Sequence, residues 1–201
     1  MVLVALAAVP LAAYWLRQAA PPELYDHTRQ RPGNAQVAAL LEGEQLVPPP
    51  SLPPELFLQA EVQSARPLIG SANREWALLD AEFRQRLLAI FRLMQERHGY
   101  ELVLLEGYRS AERQAALQAL GPTVTLAGAN DSYHQYGLAA DIAFVREGRI
   151  VLSERDAWAL RGYELYGALA QELGLTWGGT WTRLRDLGHI ELPRAGVIRG
   201  R

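Results

Sequence analysis

Residues 132–141 read Ser-Tyr-His-Gln-Tyr-Gly-Leu-Ala-Ala-Asp, and they place His134 and Asp141 seven residues apart across Gly137. A glycine permits a tight turn that can feed a strand, so both side chains can reach one point. Imidazole and carboxylate groups are natural zinc ligands. The stretch therefore predicts a metal site.

A second histidine lies near the C-terminus, in residues 186–191, which read Asp-Leu-Gly-His-Ile-Glu. A catalytic zinc usually takes three protein ligands and leaves its fourth position to water. His189 is therefore the expected third ligand beside His134 and Asp141. Asp186, three residues before His189, is the expected base for the water molecule.

These segments resemble the zinc peptidases that comprise the VanY-type D-Ala-D-Ala carboxypeptidases and the L-alanyl-D-glutamate peptidases, which cut peptidoglycan stem peptides. The pattern Ser-x-His-x-x-Gly-x-Ala-x-Asp followed by Asp-x-x-His is similar to the metal motif of that family. Residues 107–110, Gly-Tyr-Arg-Ser, match its Tyr-Arg-Ser segment, and residues 177–181, Trp-Gly-Gly-Thr-Trp, resemble the Trp-Gly-Gly-Asp-Trp of the L-alanyl-D-glutamate branch. Thr180 stands where that branch usually carries Asp. The resemblance spans roughly residues 73–193.

The resemblance implies a zinc ion, Zn2+, held by His134, Asp141 and His189. It implies that Asp186 takes a proton from water and passes it to the leaving amine. The zinc site is expected in a cleft of a fold like that of the D-Ala-D-Ala metallopeptidases.

The same family suggests substrate contacts around the metal. The matching arginine of the family faces the substrate, which implies that Arg109 stabilises negative charge on the scissile carbonyl oxygen. The alternative is a surface arginine paired with Glu106 or Glu112. Other expected substrate contacts, which a structural role would equally explain, are Ser132, Tyr133 and Trp181.

Hydrophobic periodicity predicts the fold. Apolar residues recur at steps of three and four between residues 76 and 94, which predicts a helix from Asn73 to about His98. The pattern further predicts a strand at 100–105, a helix at 111–120, a hairpin at 138–152, a helix at 154–173 capped by Ser153, and short strands at 175–177 and 188–192. Because the helices are segregated from mostly antiparallel strands, we expect an α+β fold with helices packed on a small sheet.

Composition excludes several classes of function. The formal net charge is −2 and the basic residues are scattered, so no nucleic-acid partner is expected. The chain has no cysteine, which excludes disulfides, Cys-bound zinc and thiol catalysis. The His-Glu-x-x-His motif of thermolysin-like sites and the Gly-x-Ser-x-Gly motif of serine hydrolases are both absent from the sequence.

The beginning of the chain predicts an envelope location. Residues 2–16 form an apolar run that ends in aromatic residues and Arg17, as at a membrane interface. We interpret residues 1–18 as a membrane anchor or signal, with a cleaved signal or a buried helix as alternatives. Residues 19–70 are expected to be a proline-rich tether and residues 71–201 the zinc peptidase domain. This layout predicts a protein on the periplasmic side of the cytoplasmic membrane, or a secreted one.

The function expected from these features is zinc-dependent hydrolysis of peptide bonds in peptidoglycan stem peptides, of the L-Ala-D-Glu or a related type. Two alternatives remain open at this stage. One is a D-Ala-D-Ala carboxypeptidase, and the other is a zinc-containing cell-wall binding module without hydrolysis. The anchor and tether suggest local wall remodelling, by analogy beside an envelope-spanning secretion machine.

Overall fold

A computed structural model of the chain describes residues 45–122, 124–125, 127–128 and 131–198. The expected anchor or signal at residues 1–18 and the tether up to residue 44 lie outside these residues and stay predictions. Within the described ranges, no helix combines the length and the apolar character that a membrane span requires.

A five-stranded antiparallel sheet lies at the centre of the described domain. Its strands are β1 (Glu101–Glu106), β2 (Ala139–Arg146), β3 (Arg149–Val151), β4 (Thr176–Trp177) and β5 (His189–Glu191). The main path runs β1-β2-β5-β4, and β3 also pairs with β2. The first half of β2 pairs with β5 and its last residues pair with β3, so β2 connects every part of the sheet.

Five α-helices accompany the sheet in the part of the chain that the structure describes. They are α1 (Pro54–Phe57), α2 (Ala60–Ala65), α3 (Ala81–His98), α4 (Ala111–Ala119) and α5 (Ala157–Glu172). The described residues also form four 3-10 turns, at Ile69–Ser71, Trp76–Leu78, Tyr133–Tyr136 and Gly178–Thr180. The predicted α+β class, with helices packed on a small antiparallel sheet, is confirmed.

Both faces of the sheet are covered, which explains why β1 and β2 are apolar except at Glu101, Glu106, Asp141 and Arg146. One face packs against α3 and α5 and includes Leu102 and Ile142. The opposite face carries a second cluster, in which Val103 and Ala143 pack against residues from α1, α2 and the turn that follows. Successive residues of a strand point to opposite faces, so neighbouring positions enter different clusters.

Two helices begin later than predicted. Helix α3 is capped by Asp80 and helix α5 by Asp156, and each carboxylate accepts hydrogen bonds from backbone amides of the first turn. The expected caps, Asn73 and Ser153, each accept a bond from the amide two residues on. These local turns compete with helix formation, so the predictions of starts at Asn73 and Ser153 were wrong.

The segment from residue 52 to residue 72 differs from the extended tether that its prolines predict. Phe57, Val62 and Ile69 are at most 5% exposed and belong to the second cluster on the sheet. Burial of apolar side chains outweighs the tendency of the prolines to keep the chain extended. This part of the predicted tether therefore forms a wall of the domain, and the folded unit begins before residue 71.

Candidate metal centre

Sheet register places two of the predicted ligands side by side. Asp141 of β2 lies directly opposite His189 of β5, and Glu106 of β1 lies opposite Asp141 on the other side. Residues opposite each other in a sheet project from the same face, so the three side chains form one row. A bulge between Leu104 and Glu106 brings Glu106 into this row.

The turn before β2 supplies the third residue. His134 lies in the 3-10 turn that ends at Gly137, whose φ is 67°. A Cβ on Gly137 would lie 2.5 Å from the carbonyl oxygen of Leu78, so this position requires glycine for space as well as for conformation. The backbone of His134 accepts a bond from the Arg109 amide at 3.0 Å, which ties the turn to the end of β1.

His134, Asp141 and His189 converge on one point, with ligand atoms that all lie within 4.8 Å of one another. Oδ1 of Asp141 lies 3.5 Å from Nε2 of His134 and 3.0 Å from Nδ1 of His189. All three side chains are buried. Two imidazoles and a carboxylate are a donor set of the kind that holds a catalytic zinc with one position left open.

The other nitrogen of each imidazole is also held by an acceptor. Nδ1 of His134 lies 2.7 Å from the carbonyl oxygen of Gly107, and Nε2 of His189 lies 3.2 Å from Glu191. A proton on each of these nitrogens leaves the nitrogen that faces Asp141 free to bind a cation. Sequence reasoning missed Glu191, although its place two residues after His189 on the same strand is a usable signal.

The electrostatics of the cluster favour a cation. Burial alone raises the pKa of Asp141, but the charges of His134 and Arg66 and hydrogen bonds from both histidines hold it well below its ordinary value. Burial also lowers the pKa of His189, yet bonds to Asp141 and Glu191 raise it to about 9. Asp141 is therefore ionised at neutral pH, as a metal ligand must be, whereas the raised pKa of His189 means that a bound metal would displace a proton from its Nδ1.

Arg109 lies beside the cluster, buried and anchored by a charged network. It donates to Glu106 at 2.7 Å and to Gln114 at 3.0 Å, and it approaches Oδ2 of Asp141 at 3.5 Å. Arg113 also binds Glu106. The pairing of Arg109 with Glu106 thus occurs, but in the interior rather than on the surface. Nε of Arg109 is buried and has no acceptor among the described residues.

Asp186, the predicted base, is held by an arginine that the sequence motifs did not indicate. Arg66 donates to its two carboxylate oxygens at 2.6 and 2.8 Å. The amide of Gly188 donates to Oδ1 of Asp186 at 3.1 Å, and the backbone carbonyl of Asp186 accepts from the His189 amide at 3.3 Å. The short loop between Asp186 and His189 is therefore tied by hydrogen bonds to the predicted metal ligand His189.

A cavity of about 600 Å³ opens over the face of the sheet that carries Asp141. Its wall includes Asp141, Arg109 and Asp186 from the cluster region and Arg66 from the upstream segment, residues 52–72. Asp141, Arg109 and Asp186 thus line one space large enough for part of a peptide, whereas His134 and His189 do not belong to its wall.

The three expected substrate contacts are placed differently from one another. Ser132 is buried beside His134, and Tyr133 packs in the main hydrophobic core, so neither lies in the cavity wall formed by the described residues. The ring of Trp181 lies 4.8 Å from that of His189, and Trp181 is likewise not one of the residues that line the cavity. Trp177 instead packs against the backbone of α5 near Gly167 and donates to the Leu187 carbonyl at 2.8 Å, which is a structural role.

An α+β domain with a buried His-Asp-His cluster beside a cavity has the organisation of a metal-dependent hydrolase site. Comparison with known proteins gives a more specific result. Residues 126–192 match the sequence model of a family described as D-alanyl-D-alanine carboxypeptidase. This segment contains all three clustered residues, and the predicted resemblance to that group of peptidases is confirmed.

Two curated relatives carry related names. The peptidoglycan L-alanyl-D-glutamate endopeptidase CwlK of Bacillus subtilis (strain 168) is 35% identical over 103 residues, which are 47% of this chain and 62% of that protein. The L-alanyl-D-glutamate peptidase of Listeria phage A118 is 31% identical over 101 residues, which are 50% of this chain and 34% of that protein. The chain thus spans less than two thirds of the length of either relative.

Two solved structures are similar at lower identity. The L-Ala D-Glu endopeptidase ChiX of Serratia marcescens has a TM-score of 0.44 at 23% identity, covering 59% of this chain and 83% of that chain. The LD-carboxypeptidase LdcB has a TM-score of 0.44 at 19% identity, covering 63% of this chain and 66% of that chain.

Proposed function

We propose that this protein is a zinc-dependent peptidase that hydrolyses a peptide bond in peptidoglycan stem peptides, of the L-alanyl-D-glutamate type. The observation that carries the proposal is the convergence of His134, Asp141 and His189 in a segment that matches a peptidase family. The names of the two curated relatives support the substrate class and the bond.

The donor set and its surroundings support zinc as the metal. His134, Asp141 and His189 would hold the ion, and Gly107 and Glu191 would keep each imidazole in the tautomer and orientation that binding requires. When bound in such a site, zinc lowers the pKa of water and polarises a substrate carbonyl group.

The remaining polar groups have roles that follow from their positions. Asp186 would accept the proton of the attacking water and return it to the leaving amine. Arg109 would stabilise the oxygen that becomes negative, because its guanidinium is fixed by Glu106 before the substrate arrives. A donor that is already oriented does not have to reorganise during the reaction.

A D-Ala-D-Ala carboxypeptidase is the second candidate function. The description of the matching family favours it, whereas the names of the curated relatives favour the L-alanyl-D-glutamate bond. The two activities give different products. A carboxypeptidase releases free D-alanine, and an endopeptidase of the other type exposes a new amino group on glutamate.

Mass spectrometry of muropeptides distinguishes these outcomes. The full chain is incubated with purified peptidoglycan, with and without a chelator whose effect zinc reverses. We expect new glutamate amino termini that disappear with the chelator and in the variant His134→Ala. Products that persist in either control would contradict a zinc peptidase, and stoichiometric zinc binding without products would support a wall-binding module.

The place of action is a proposal from the sequence. Residues 1–18 would hold the enzyme at the periplasmic side of the cytoplasmic membrane, and the proline-rich residues that follow would extend it toward the wall. Cell fractionation of the full chain, compared with a variant that lacks residues 1–18, tests this. We expect the full chain in the membrane fraction and the shortened chain outside it.

A further inference from the structure

The segment of residues 52–72 places one arginine side chain in the wall of the cavity. Arg66 directly follows α2, and its amide donates to the Val62 carbonyl at 2.8 Å. Val62 and Ile69, on either side of it, are buried in the cluster on the sheet. Arg66 is therefore held at a fixed place in the cavity wall, although it lies before the segment that matches the peptidase family.

Arg66 and Asp186 form a two-pronged ion pair that remains open to water. Their side chains are 28% and 23% exposed. The network of Arg109, Arg113 and Glu106 is much more enclosed, with side chains at most 10% exposed. A molecule that enters the cavity thus meets the more exposed Arg66 pair, whereas Arg109, whose side chain is 9% exposed, presents only a small part of its surface to the cavity.

Arg66 binds both oxygens of the Asp186 carboxylate, which is the base of the proposed mechanism. A planar guanidinium binds any carboxylate through two parallel hydrogen bonds. A second carboxylate could therefore replace that of Asp186 on Arg66 with little change in the number or strength of charged hydrogen bonds. A neutral amide could not, because it offers one acceptor and no charge.

A peptide cut between L-alanine and D-glutamate carries such a group close to the reaction. Glutamate has two carboxyl groups, and when one continues the chain the other remains free. On the residue that supplies the leaving amine, this free carboxylate lies near the scissile bond. Amidation of the glutamate converts this negatively charged carboxylate into a neutral carboxamide.

Resting on the proposed function, we infer that Arg66 binds the free carboxylate of the glutamate beside the scissile bond and that this exchange releases Asp186 to face the attacking water. The enzyme would accordingly select stem peptides with unamidated glutamate. Substrate binding would also complete the site, because Asp186 becomes available only when the acidic peptide is in place.

Kinetics with paired peptides test the inference. The full chain with zinc is given an L-alanyl-D-glutamyl peptide with a free carboxylate and the same peptide as the carboxamide. We expect kcat/KM for the acid to exceed that for the amide by about tenfold or more, given the strength of hydrogen bonds between charged groups. Equal rates for the two peptides would overturn the inference.

Variants separate recognition from a merely structural role. Arg66→Gln should reduce the acid-to-amide ratio to about one, and Arg66→Lys should retain a reduced preference, because lysine keeps the charge without the planar geometry. Arg155→Gln, at another arginine of the cavity wall, should keep the full ratio. A structural defect would lower both rates and leave the ratio unchanged, so a retained preference in Arg66→Gln would contradict the inference.

Binding separates this inference from the proposed function. If the chain with zinc cleaves neither peptide, the proposed function fails. Calorimetric titration with the two peptides then tests carboxylate recognition by Arg66 independently of cleavage. Tighter binding of the acid in the unaltered chain, lost in Arg66→Gln, would support the exchange. Equal binding of acid and amide would overturn it.

Discussion

Each histidine of the cluster is oriented through the nitrogen that does not face the metal position. For His189 this support comes from Glu191, at 3.2 Å on the same strand. The carboxylate selects the tautomer and restricts rotation of the ring. At the scale of single residues, the quality of the site thus depends on side chains that the metal would never contact.

Replacing Glu191 by Ala should weaken zinc binding by about 10–100-fold, the usual effect of losing a supporting acceptor behind a ligating histidine. Competition with a chromogenic chelator measures the affinity. Glu101→Ala is the matched control, because that glutamate is exposed at the start of β1 and distant in register from the cluster. Unchanged affinity in Glu191→Ala would show that the His189 orientation is set by other contacts.

At the scale of elements, the turn that carries His134 depends on close packing at Gly137. Gly137 and Gly148 have nearly the same positive φ, 67° and 71°. Of these two, an added Cβ would meet backbone at Gly137, with the Leu78 carbonyl oxygen at 2.5 Å, whereas around Gly148 nothing lies within 4 Å. Alanine substitutions at the two positions therefore distinguish the energetic cost of a left-handed backbone from the cost of a steric clash.

Gly148→Ala should lower the free energy of unfolding by about 1–2 kcal/mol through the left-handed backbone alone. Gly137→Ala should cost roughly 1–3 kcal/mol more, because the backbone must also move apart. The same shift should weaken zinc binding only in Gly137→Ala. Urea unfolding and zinc titration of both variants provide the comparison, and equal losses of stability would refute the role of the Leu78 contact.

The start of helix α3 depends on Asp80, which caps two amides and pairs with Arg194 at 2.9 Å. Asp80→Ala should lower the free energy of unfolding by about 1–2 kcal/mol. Asp80→Asn should lose less, since asparagine caps well but cannot form the ion pair. Chemical denaturation at neutral pH measures both effects, and an equal loss in the two variants would assign the whole effect to the ion pair.

The same residue makes stability depend on pH. The hydrogen bond from Arg194 lowers the pKa of Asp80 below its ordinary value. A carboxylate with a lowered pKa stabilises the fold above its unfolded pKa, and this stabilisation is lost as pH falls through the folded value. Stability should therefore fall more steeply below about pH 4 in the unaltered chain than in Asp80→Asn. Parallel curves for the two would contradict this origin.

At the scale of the whole molecule, residues 52–72 form part of the domain. It covers the face of the sheet that also carries Asp141 and His189, and so it supplies one wall of the cavity. A site assembled only from the matched residues 126–192 would lack this wall and Arg66. The upstream packing is therefore a condition for the shape of the site.

Val62→Ala should lower the free energy of unfolding by roughly 1–3 kcal/mol, because Val62 is fully buried and the deletion leaves a cavity. Val47→Ala is the matched control, at a valine that is 82% exposed, and should change stability by less than about 0.5 kcal/mol. Urea denaturation measures both. A negligible effect at Val62 would mean that the segment behaves as the tether that its prolines predict.

Interactions between residues close in sequence explain which helix ends the sequence predicts correctly. Helix α3 ends at His98 and α4 begins at residue 111, as predicted, because Gly99 and Ser110 cap these ends through contacts within a single turn. The helix starts at Asn73 and Ser153 were wrong for a related reason. Several polar residues near a helix start can satisfy backbone amides, and only the surrounding packing selects among them.

Local sequence patterns predict the class of the fold and the members of the candidate metal site, because His134, Asp141 and His189 each stand in a recognisable motif. The residues that surround these three side chains follow from long-range packing. Arg66 and Asp186 are 120 residues apart in the chain, and no local pattern encodes a contact across that distance. Their pairing depends on the apolar packing of the upstream segment against the sheet, which is a property of the whole fold.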